Sequence, residues 1–295
     1  MANAAETPQA AYQTALMNCL MLMARTVEDT VNRALDAVCC RNQPVASQLA
    51  NEILMLEPHI NDMEMVIDDH AVYLLHLNQL PAEDIRLVVA TLKITNDLER
   101  MGDLAVNIGE RVISLAQMPP VEAPAELAPM AEAVRAMVSK SLGALIFRST
   151  VLANLVLESD DVVDRYRDQL FEHLSAGMMQ NPGVVESNMQ FVLATRHLER
   201  IADHATNIAE DVIFWVRGLD VRHGRGGTLA THASPVSPKI HRRRDVPATR
   251  LGSRALGGTV LGLASRQVHC RGARGRLRWK TLSARAHTST FRLPP

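Results

Sequence analysis

Residues 98–113 read LERMGDLAVNIGERVI and residues 198–213 read LERIADHATNIAEDVI, so sixteen residues recur after one hundred with ten identities. Both copies carry acid, acid and amide at four-residue steps: Glu99, Asp103 and Asn107 in the first, Glu199, Asp203 and Asn207 in the second. On an α-helix such positions follow one face, with neighbours about 5–6 Å apart at Cβ. Carboxylates that close repel one another in water. A cation, a basic partner or solvent must offset the repulsion, and the fold must present two equivalent helices that carry it.

The surrounding pattern is helical throughout. Residues 8–41 place Leu16, Leu20, Met23, Val27, Val31, Leu35 and Val38 on one stripe, opposite most of Glu28, Asp29, Arg33 and Asp36. Asn42-Gln43-Pro44 is a break, and a second segment over 45–77 has Ile53, Met63, Ile67, Leu74 and Leu75 as its apolar positions. Pro58 is expected to bend or break that segment, because proline removes a backbone donor and crowds the preceding turn. Pro81 suits the first position of a third helix, which runs through the first acid row to residue 117. Pro119, Pro120, Pro124 and Pro129 mark a hinge. The pattern then predicts helices over 129–158 and 160–180, a turn at Asn181-Pro182-Gly183, and a last helix to residue 217 with Gly218 as its C-cap. Two halves of three helices, each closing on the same motif, define a duplicated three-helix unit: residues 1–118 and 119–223.

Composition changes abruptly after the second unit. Residues 1–223 hold sixteen Lys and Arg against thirty-one Asp and Glu, a net of −15; residues 224–295 hold fifteen against the single acid Asp245, a net of +14. The first part is rich in helix formers and long enough for a substantial core. The second has Gly-Gly and Pro punctuation and no sustained period. It reads as a disordered basic tail or as a shifted reading frame of a GC-rich gene, ahead of a nucleic-acid-binding arm. Trp279 and Phe291 are its only large rings, without the regular aromatic interleaving of a single-strand binder. No specific nucleic-acid binding is expected.

Several classes are disfavoured by residue pattern. Cys19, Cys39, Cys40 and Cys270 make no C-x-x-C pair and fit a reducing cytoplasm. The N-terminus lacks the basic region of a secretory signal, and the apolar stretch near residues 15–24 is too short and polar to span a bilayer. The sequence lacks Glu-x-x-His, a phosphate-binding G-x-x-x-x-G-K-S/T loop, a nucleophile elbow and His-Glu-x-x-His. Nothing in it asks for an enzyme.

Carboxylate and amide oxygens suit hard cations such as Mg²⁺, Ca²⁺ or Mn²⁺, and iron also accepts an oxygen-rich shell. One helix face supplies two carboxylates and an amide, so a neighbouring helix must complete the set. Glu64 is the donor available to the first row, and Asp161 or Asp164 to the second. The other reading of both rows is a solvated charged face. Arg100 and Arg200 follow each glutamate and point about 100° away round the helix, so they do not neutralise the row without bending back. His197 and His204 stand opposite Asp97 and Leu104 in the repeat and read as packed or surface histidines rather than ligands.

The paired LER-x-x-D-x-x-x-N-I motifs, with QLPAEDIR before the first and DVIFWVRGLDVRH closing the second, resemble the PhoU family of phosphate-specific transport accessory proteins over about residues 10–223. The resemblance implies an all-α fold of two tandem three-helix bundles with twofold pseudo-symmetry. It implies divalent or trivalent metal (iron, zinc, manganese or magnesium) on Glu99, Asp103, Asn107 and Glu64 in one half. In the other half the implied ligands are Glu199, Asp203, Asn207, Asp161 and Asp164. It also implies a cytoplasmic, homodimeric negative regulator of phosphate uptake and phosphate-starvation signalling. Its implied partners are the transporter's ATPase subunit (PstB-like) and a sensor histidine kinase (PhoR-like). The alternative is a metal-dependent helical-bundle enzyme or a metal-storage protein built on the same acid rows.

Overall fold

The structure, a computed structural model, describes residues 8–40, 42–77 and 80–222, all within one compact unit spanning Met1–Ala233. The basic segment 224–295 and Cys270 lie outside the described residues. Seven α-helices and one 3₁₀ turn make up the described part: α1 Pro8–Cys39, α2 Gln43–His76, α3 Ala82–Ala116, α4 Leu127–Phe147, α5 Thr150–Leu157, α6 Asp160–Gln180, the 3₁₀ turn Pro182–Val184 and α7 Val185–Arg217. Among the described residues there is no strand.

α1, α2 and α3 pack on one another, as do α4, α6 and α7, with α5 against α4 and α7. The two halves meet chiefly where α3, carrying the first acid row, lies along α7, carrying the second. The result is two three-helix bundles sharing one apolar interior. The stripe on α1 is buried as the periodicity requires, from Leu16 to Val38. On α2, Ile53, Ile67 and Leu74 are buried and Met63 is partly so, whereas Leu75 is left exposed, one residue and about 100° round from Leu74.

Two helix boundaries differ from expectation. α2 continues without a break through Pro58. One missing backbone donor is tolerated because Ile53, Ile60, Ile67, Ala71 and Leu74 anchor the helix on both sides of the proline. The segment expected as a single helix over 129–158 is two, α4 and α5, divided at Arg148-Ser149. Arg148 takes the left-handed conformation (φ 49, ψ 41), and its N–H donates to the Leu145 and Ala144 carbonyls. The Ser149 hydroxyl then accepts from the Leu152 N–H at 3.3 Å, capping α5. The Arg148 guanidinium lies 4.7 Å from the Trp215 ring centroid, and Arg217 donates to the Thr150 hydroxyl at 2.8 Å, so α7 holds the turn. No glycine or proline announces this turn, and the apolar pattern runs through it.

Because of that turn, α5 and α6 together stand where α2 stands in the first half. Shifting α2 by ninety-six residues superimposes buried Ile60 on Val156, Ile67 on Val163 and Leu74 on Leu170. Ser149→Ala is expected to cost about 1 kcal/mol by removing the α5 cap, measured by chemical denaturation; a change within error would mean that α7 alone sets the turn. Elsewhere Pro81 sits just before α3 rather than as its first residue, and α4 begins at Leu127, two residues ahead of Pro129. Asn42 caps α2, and Gly218 (φ 68) ends α7 with its N–H on the Phe214 carbonyl.

Candidate functional site: two rows of carboxylates

The first row is built by α2 and α3. Glu64 is held above the usual carboxylate range by burial, then by Asp68 and Asp103, with Arg100 acting in the opposite direction. Glu99 is raised by burial, by Asp103 and by Glu64, again opposed by Arg100. Glu64 thus feels Asp68, one turn further along α2, and Asp103 on α3, while Glu99 feels Asp103, one turn further along α3, and Glu64 on α2. Arg100 acts at a distance; among the described residues no ion pair or hydrogen bond joins it to them. Asn107 is half-buried one turn further along α3.

The second row is built by α6 and α7, and its composition differs from expectation. Asp160 faces the row: its carboxyl is raised by burial and by Asp164, Asp161 and Glu199, against Arg167. Asp203 is raised by burial, Glu199 and Asp160, with His204 opposing. Asp164 belongs to the row, but Asp161 is exposed, and its charge acts on Asp160. Asn207 turns away: its amide donates to Asp97 Oδ1 on α3 at 3.3 Å, beside His204 Nδ1 at 2.8 Å from the same oxygen. His204, read from sequence as packed or surface, is a partner of the mostly buried Asp97 where α3 and α7 cross.

A basic side chain is inserted among the second row's acids. Arg167 Nη1 donates to Asp164 Oδ1 at 2.7 Å and to Glu199 Oε1 at 2.6 Å, and its Nη2 lies 2.9 Å from Asp168 Oδ1. These pairs, Glu199 foremost, hold the guanidinium even more firmly protonated than usual. A cleft of about 390 Å³ opens beside it between α6 and α7, lined by Arg167, Phe171, Val192, Thr195, Arg196 and Glu199.

Two chemical consequences follow for a cation. The first row offers hard oxygen donors, and among the described residues no basic side chain makes an ion pair or hydrogen bond with them. The second row already contains its cation and, as it stands, does not fit a metal. In neither row are the donors closed round a point: among the described residues no three His, Cys, Asp or Glu side chains are gathered closely enough to enclose an ion. Asp68, Asp160 and Arg167 were not singled out from sequence. The shift of ninety-six residues between α2 and α6 is the signal that pairs Glu64 with Asp160 and Asp68 with Asp164.

Fold and site together define an all-α protein of two duplicated, acid-lined three-helix units. The PhoU domain model matches residues 20–112 and 127–212, one match per unit, and the chain belongs to the PhoU family. It is 37% identical over 207 residues to the phosphate-specific transport system accessory protein PhoU homolog of Pseudomonas aeruginosa, covering 69% of this chain and 83% of that one. It is 36% identical over 201 residues to the homolog of the same description from Aquifex aeolicus, covering 68% and 89%. The crystal structure of PhoU from Pseudomonas aeruginosa superimposes with a TM-score of 0.67 at 34% identity, over 71% of this chain and 99% of that chain. The phosphate transport system regulatory protein PhoU from Streptococcus pneumoniae superimposes with a TM-score of 0.63 at 25% identity, over 70% and 96%. No described helix is long and apolar enough to cross a membrane.

Proposed function

We propose that this chain is an accessory protein of phosphate-specific transport that restrains phosphate uptake and phosphate-starvation signalling when phosphate is plentiful. The observation that carries the reading is the match of the PhoU family over both acid-row units, in a fold that superimposes on 99% of a PhoU crystal structure with 71% of this chain. The reading is of a regulator working by contact rather than of an enzyme. It acts in the cytoplasm, as a homodimer, on the transporter's ATPase subunit (PstB-like) and on a sensor histidine kinase (PhoR-like). A helical body with a net charge of −15 over residues 1–223 is suited to basic partner surfaces, where charge complementarity sets encounter rate and register. Deleting the gene is expected to leave phosphate-starvation genes expressed in phosphate-rich medium. Normal repression in the null strain, read by reporter activity, would sink the regulatory reading.

The same proposal assigns a divalent or trivalent cation to the first row, with Glu64, Asp68, Glu99 and Asp103 as its oxygen donors; such donors favour magnesium, manganese or iron over zinc, which prefers nitrogen and sulfur. A bound ion supplies positive charge that removes the mutual repulsion of α2 and α3 along the row. The double substitution Glu99→Gln with Asp103→Asn is expected to stabilise the metal-free protein by a few tenths of a kcal/mol, since it relieves like charges one turn apart. It is also expected to abolish the extra stability that Mn²⁺ confers on the wild type through linkage. Thermal melts with and without Mn²⁺ measure both. An undiminished Mn²⁺ effect in the double variant would leave the row a solvated face.

A further inference from the structure

Arg167 has no counterpart in the first half. The shift that superimposes the acids of α2 and α6 sets it on Ala71, a residue with no exposed surface. In one half a methyl group packs beneath the acid row; in the other a guanidinium reaches into it. Its Nη1 bridges Asp164 on α6 and Glu199 on α7 at 2.7 and 2.6 Å, and its other nitrogens engage Asp168 at 2.9 and 3.0 Å. Short charge-assisted bonds from one planar, permanently charged fork to several carboxylates are among the strongest counter-charge contacts a side chain can make. Of these pairs the one with Glu199 is the least exposed, at 31% for Arg167 and 24% for Glu199, so solvent screens it incompletely, whereas Asp168 is 69% exposed.

We propose that Arg167 is the resident cation of the second row, a specificity-determining residue that makes the two halves respond differently to free metal. The first row, lacking such a group, takes up a hard divalent cation. The second keeps its tethered guanidinium and takes up metal only when that side chain is displaced. Tethering gives the guanidinium an effective concentration in the millimolar range, so a free ion at lower concentration competes poorly. The pseudo-symmetric scaffold is thereby one-sided: metal availability changes the charge of one bundle and leaves the other constant. The metal half of this inference rests on the cation reading of the first row; the role of Arg167 as counter-charge does not.

The test uses full-length protein and Mn²⁺, a paramagnetic ion that broadens nearby methyl resonances. In the wild type Mn²⁺ is expected to broaden the methyl group signals of Ile67, beside Glu64 and Asp68, and to spare those of Val163, beside Asp164. In Arg167→Ala both are expected to broaden, with affinity at the second row raised roughly 10- to 100-fold. Arg167→Gln, which keeps a polar side chain of similar length, serves as a second variant should the alanine protein fold poorly. Equal broadening of Ile67 and Val163 in the wild type overturns the inference. So does a Val163 signal still spared in both variants while Ile67 broadens. If Mn²⁺ broadens neither residue in any of the proteins, the cation reading of the first row fails. The resident-cation role is then decided in metal-free protein by the Arg167 guanidinium resonances. Resolved Nη signals that Glu199→Gln collapses uphold the role, and rotationally averaged signals in the wild type overturn it.

Discussion

Leu98→Ala is expected to lower the unfolding free energy by about 3 kcal/mol, and Leu198→Ala by a similar amount. Both leucines open the repeated LER motif, on α3 and α7, and neither exposes any surface. The cost has two parts: the transfer energy of the lost carbons, and a cavity that long, packed helices cannot collapse. For a unit of this size such losses lower the thermal midpoint by roughly 6–12 °C. Because α3 and α7 lie along each other, both substitutions are expected to shift one common transition in circular-dichroism melts. Two separate transitions would show that the bundles unfold independently, and a loss below about 1 kcal/mol would show that the motif's leucine is not a core residue.

The motif shows why so much of the fold could be read from the chain. A residue's burial on an amphipathic helix follows from its angular position, so the α1 stripe was readable from spacing alone. Helix ends with conventional chemistry were readable too, such as Asn42 before α2 and Gly218 after α7. The turn at Arg148-Ser149 was hidden, because a non-glycine residue takes the left-handed conformation there and contacts from α7, distant in sequence, hold it. The same limit applies to the site. Glu99, Asp103, Glu199 and Asp203 share a face by periodicity. Which acids of a second helix oppose them depends on interhelical register, and register arises from packing. Asp68 and Asp160 therefore came from the structure, as did the diversion of Asn207 onto Asp97. Arg167 was hidden for a further reason: the two halves diverge at that position, and a search for repeated residues passes over it.

Asp211 is another departure from the repeat, standing where the first copy has Arg111, and it is expected to dominate the pH dependence of stability. Its side chain is 2% exposed, and burial pushes its carboxyl up to about 6 although Arg222 and Lys93 beside it act to lower it and Asp97 adds slightly to the rise. A raised carboxyl binds its proton more tightly in the folded chain than in the unfolded one. The folded state therefore gains stability as pH falls from above about 6 toward the ordinary carboxylate value of 3.8, and loses that gain as pH rises again. At neutral pH the ionised, buried group costs of order 2–3 kcal/mol. Glu64, Glu99, Asp160 and Asp203 are shifted in the same direction, while His197, lowered by burial and three neighbouring arginines, opposes them as pH falls. Comparing wild type with Asp211→Asn at each pH cancels those shared contributions. The variant is expected to equal or exceed the wild type in stability at pH about 7.5, and to fall behind the wild type's gain as the pH is lowered to about 5. Denaturant melts of metal-free protein across that range measure the difference. A difference that does not vary with pH would show that Arg222 and Lys93 fully compensate the buried charge.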